Sequence, residues 1–128
     1  MRLALLVVGG AGLLAFLCTG LYMATHFPAA YATGEEIRYL YRANHIYVLL
    51  ASLIGLTFGL YWSGARPGWR GKLALAGACL VLAAPVALAC AFFFEAPQGT
   101  PERPMTFFGV LFALAGVLMQ WPNRLSRG

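Results

Sequence analysis

IYVLLASLIGLTFGLYWS, residues 46–63, contains no Asp, Glu, Lys or Arg. Its apolar residues do not alternate with polar ones, as they would in a half-buried or barrel strand. At about 1.5 Å of rise per residue, a helix of this length nearly crosses the roughly 30 Å of a bilayer's hydrocarbon. Three further stretches lack these charges: 3–34, of which 3–25 is the apolar part, then 73–94 and 105–121. Together they predict an all-α integral membrane protein. The expected fold is an antiparallel four-transmembrane-helix bundle, one domain over 1–128, with spans at about 3–25, 44–63, 72–94 and 105–121.

Composition supports the same reading. The chain is 61% hydrophobic and 10% charged, whereas soluble domains are about 25% charged. A fold of 128 residues cannot hide that much apolar surface in its own core, so part of its solvent must be lipid. The formal net charge is +5, but the basic residues stand singly at the ends of apolar runs and form no patch, which argues against nucleic acid as a partner. The opening MRLALLVVGGAGLLAFLC has the charge-then-apolar pattern of a secretory signal. Leu17, just before Cys18, is not the small residue a lipoprotein site needs, so a retained anchor is expected.

Lys and Arg accumulate on the cytoplasmic side of membrane proteins. Arg2, Arg66, Arg70, Lys72, Arg124 and Arg127 fall at one set of span ends, and Arg38, Arg42 and Arg103 at the other. This count predicts both termini inside, in a bacterial inner (plasma) membrane. Glu35, Glu36, Glu95 and Glu102 all fall on the predicted outer side, and Trp62, Trp69 and Trp121 at the inner interface, where an indole buries its ring and still donates its N–H.

The two longer loops differ. SGARPGWRGK, residues 63–72, is a Gly/Pro-rich connection, and EAPQGTPERP, residues 95–104, reads as an extended cap over helix ends. Residues 27–32 are expected to turn, and Thr33 with Glu36 to form a capping box. The second helix then begins near 34 and runs to about 63, with its first turns extended beyond the outer membrane surface. Gly55, Gly59 and Ser63, like Ala83, Ala87 and Ala91, recur every four residues. Such rows let helix backbones approach closely in lipid, where no hydrophobic drive joins them. Pro85 is expected to bend the third span.

Candidate chemistry gathers on the outer side. Arg38, Arg42 and His45 follow one another at helical spacing, with Tyr41 beside them. Two cations above a titratable ring suit an anionic head group, a haem propionate or a quinone carbonyl. His26 closes the first span and His45 opens the second. Two imidazoles at similar depth on facing helices are the pair that haem b or a transition metal would take. The blander reading makes both histidines interfacial residues bonded to backbone or water, and both arginines partners of local carboxylates or lipid phosphate. Cys18, Cys79 and Cys90 have no metal-like spacing and read as packing residues. Met23 and Met105 fall near the outer ends, where thioethers and imidazole could together suit Cu(I).

Length and span number are similar to those of the small multidrug resistance transporters, but that family depends on a glutamate within its first helix, and 3–25 has none. With no charge expected inside a span, ion-coupled transport is disfavoured. No phosphate loop, Ser/His/Asp set or helical His-Glu-x-x-His pattern is present. The expectation is a non-catalytic accessory or assembly subunit that packs against a larger membrane complex or a second copy. The alternative is an electron-transfer protein binding haem b or quinone through His26, His45, Arg38, Arg42 and Tyr41.

Overall fold

The computed structural model describes residues 1–30, 35–65, 67–99 and 102–125, with the backbone alone at 27–30 and 122–125. Its helices are α1 (Arg2–Ala30), α2 (Glu35–Leu60), α3 (Trp69–Phe94) and α4 (Pro104–Leu125), with a short 3-10 helix, Ala96–Gln98, between the last two. No strand occurs among the described residues. All four α-helices are long and apolar enough to cross a membrane.

Neighbouring helices are antiparallel, as the close approaches show. Along α1 and α2, Leu6 faces Gly59, Gly9 faces Leu56, Gly12 faces Ser52 and Gly20 faces His45. Along α3 and α4, Gly77 faces Gly116 and Gly109 faces Leu88. α2 and α3 also pack on each other, α1 touches α3, and α4 touches α2. Val48, Ala51, Ala84, Leu88 and Ala113 form the central core.

Small residues bring these helices together. A Cβ at Gly77 would lie 2.8 Å from the Gly116 carbonyl oxygen, and one at Gly9 2.8 Å from the Leu56 backbone nitrogen. The row Gly55 and Gly59, which the sequence offers for contact with other helices, is buried within the α1–α2 interface. Ala91 is likewise buried, while Ala83 and Ala87 are half-buried.

Two local expectations change. α1 continues to Ala30 rather than turning at Phe27; the N–H that Pro28 lacks leaves one carbonyl unpaired without ending the helix. α2 ends at Leu60, short of Ser63, and Gly64 at φ 89° redirects the chain. α3 contains Pro85 within one continuous helix. The proposed Thr33 cap lies outside the described residues.

Candidate functional site

The polar end of the bundle holds the C-terminal part of α1, the start of α2, the end of α3 and the start of α4. Here Glu95, which the sequence places in a loop, is buried at 6% exposure. Its carboxylate accepts the Thr106 N–H at 2.9 Å, the Thr106 hydroxyl at 2.7 Å and the Met105 N–H. An α-helix leaves its first N–H groups without intrahelical partners and carries partial positive charge there. Glu95, at the end of α3, caps α4 from ten residues upstream of Met105. Those amides draw the carboxylate in, just beyond the end of α3.

The network extends across the bundle to α2. Arg103 Nη2 donates to Thr106 Oγ1 at 3.1 Å and to Asn44 Oδ1. Thr106 Oγ1 also stands 3.1 Å from Asn44 Oδ1. Asn44 is 0% exposed, and its Nδ2, like Arg103 Nε, is buried with no acceptor. One carboxylate and one guanidinium therefore meet through a threonine and an asparagine, with two N–H donors in excess. A buried donor left unsatisfied costs about 1–3 kcal/mol, so this is the most demanding polar arrangement described in the chain.

The histidines sit elsewhere. His45 stacks on Phe16, with ring centroids 4.0 Å apart and planes 17° apart. Its Nδ1 lies 2.9 Å from Thr19 Oγ1, and that hydroxyl donates to the Phe16 carbonyl at 2.9 Å. A hydroxyl carries one hydrogen, so Nδ1–H donates to Oγ1 and the ring lone pair lies on Nε2. Gly20 makes the room: a Cβ there would come within 3.2 Å of the ring. His26 is exposed and stacks on Tyr22 at 4.2 Å, with Nδ1 at 3.1 Å from the Tyr22 carbonyl and 2.9 Å from Thr25 Oγ1.

These contacts do not bring the two imidazoles together. His45 meets α1 at Gly20, six residues before His26, a separation of about 9 Å along a helix. A shared metal would need their nitrogens about 4 Å apart. Tyr41 is buried beside Phe92, ring centroids 5.0 Å apart, and 6.3 Å from Tyr22. Arg38 is half-buried, whereas Arg42 is exposed. Cys18 and Cys79 are exposed, Cys90 is half-buried, and all three are free thiols. No group of three or more His, Cys, Asp or Glu residues gathers as metal ligands among the described residues.

Sequence reasoning passed over Asn44, Glu95, Arg103 and Thr106. An available signal was the asparagine just before the second apolar run, since an amide at membrane depth needs a partner. The chain matches no protein-family model, no curated protein and no solved structure, so the geometry of the site carries the functional reading.

Proposed function

We propose that this chain is a small non-catalytic protein of a bacterial inner membrane, an accessory or assembly subunit that packs against a larger membrane complex, with both termini cytoplasmic. The observation that carries the reading is the division of α2 into two faces. Tyr41, Asn44, Val48, Ala51, Ser52, Gly55 and Gly59 are buried against neighbouring helices. Tyr39, Arg42, Ile46, Leu50 and Leu53 form an exposed stripe at helical spacing, with Tyr39 72% exposed.

That stripe begins with Tyr and Arg, the residue types that most often anchor protein interfaces, and continues as aliphatic side chains suited to a partner helix in lipid. The small-residue rows serve packing within the chain, so docking falls to this stripe. Cross-linking tests it in native membranes, with a photoreactive amino acid in place of Tyr39 and, separately, of Leu14 on α1. Position 39 is expected to give one discrete product that Arg42→Glu abolishes, while position 14 labels lipid. Equal, diffuse labelling from both positions would overturn the proposal.

A further inference from the structure

His45 follows Arg42 by one turn of α2, farther from the polar end, and lies where α1 meets the border of the exposed stripe. We infer that the two recognise a polar pair on a helix of a different chain: a hydrogen-bond donor that meets His45 Nε2, and a carboxylate one turn nearer the polar end that meets Arg42. The inference rests on the docking role proposed for the stripe and names the chemistry of what docks there.

Three observations select that chemistry. First, Thr19 holds His45 Nδ1–H while its own hydrogen goes to the Phe16 carbonyl, which leaves the lone pair on Nε2. The stack on Phe16 and the close approach of Gly20 keep the ring in that pose. Nε2 has no hydrogen-bond partner among the described residues, and it is not enclosed by them. An acceptor open to lipid finds no water there, so its donor comes from another molecule. Second, Arg42 is exposed and forms no ion pair among the described residues. A guanidinium takes a carboxylate through two parallel hydrogen bonds. Third, a second copy of this chain does not supply the pair. Across a two-fold axis Arg42 would face Arg42 and be repelled, and Nε2 would face an identical lone pair. Glu35 and Glu36, the exposed acids of that helix, stand six or seven residues from Arg42, about 10 Å along the axis. The partner helix is therefore that of a different chain, with an acid and a hydroxyl, amide or indole donor three or four residues apart.

Native membranes carrying the photoreactive amino acid at position 39 provide the test, with the yield of the discrete product as the readout. His45→Phe keeps a flat ring against Phe16 and has no lone pair. Thr19→Val keeps His45 itself but releases Nδ1–H, so that the hydrogen can move to Nε2. Each should lower the yield about three- to tenfold, the range of one hydrogen bond between helices in lipid. If circular dichroism shows that His45→Phe misfolds, Thr19→Val decides alone. Mass spectrometry of the product should find the acid and the donor in the cross-linked helix, and replacing that acid with lysine should restore the product to Arg42→Glu. No product from position 39 would overturn the docking reading and this inference with it. With a product present, an unchanged yield in both variants, a contact helix without an acid, or a product made of two copies of this chain would each overturn this inference alone.

Discussion

Glu95 joins α3 to α4 through three acceptor bonds to two residues, Met105 and Thr106. Glu95→Gln keeps a similar shape, loses the charge and replaces one acceptor oxygen with a donor. It should destabilise the protein by about 1–3 kcal/mol, the range for a buried group that loses its partner, read as a lower midpoint of thermal unfolding in detergent. Thr106→Val should act in the same direction, since its hydroxyl donates to Glu95 and accepts from Arg103. An unchanged midpoint for both would show that the network is not structural. Thr19→Val removes the acceptor of His45 Nδ1–H while conserving volume, and about 1 kcal/mol is expected from that single bond.

Sequence made the apolar partners of these residues legible, but not the network. Asn44 and Thr106 are 62 residues apart and Asn44 and Arg103 are 59 apart, so no local spacing encodes their meeting. The two histidines failed to converge for a related reason. Both were correctly placed near the same end of the chain's first hairpin, but the continuation of α1 to Ala30 carries His26 beyond the level where His45 packs.

At the scale of an element, the helices follow from charge-free runs, and their contacts follow from glycine. Four apolar stretches were legible because lipid demands length and excludes charge, two properties visible in any window of sequence. Which face packs was not legible: α1 is apolar on all sides, with Leu3, Val7, Leu14, Leu17 and Leu21 all exposed. The glycines discriminate where hydrophobicity cannot. Gly77→Ala and Gly9→Ala would each drive a methyl into backbone at 2.8 Å, and separating packed helices in this way should cost about 1–3 kcal/mol. Gly10→Ala meets nothing within 4 Å and should leave stability unchanged or slightly raised, because alanine favours helix. Unfolding midpoints of the three variants, measured side by side, check the assigned faces; equal losses at Gly9 and Gly10 would contradict them.

For the whole molecule, α2 and α3 lie at the centre, α1 and α4 flank them, and the polar end differs in chemistry from the opposite end. The proposed orientation puts the polar end outside. In intact cells, Glu35→Cys should react with a membrane-impermeant maleimide, and Pro67→Cys, on the α2–α3 loop, should react only after the cells are opened. The reverse pattern would invert the topology. Function was the least legible level, because the buried polar groups Asn44, Glu95 and Thr106 bond to one another or to Arg103 across the bundle, and exposed apolar residues occur on all four helices.

The most direct test of the accessory-subunit account is the mass of the particle extracted with its surrounding lipid from native membranes. The account predicts an assembly well above the 13.8 kDa of the single chain, which Tyr39→Ala and Arg42→Glu together reduce to the monomer. A monodisperse monomer from unaltered protein, with no second polypeptide present, would contradict it.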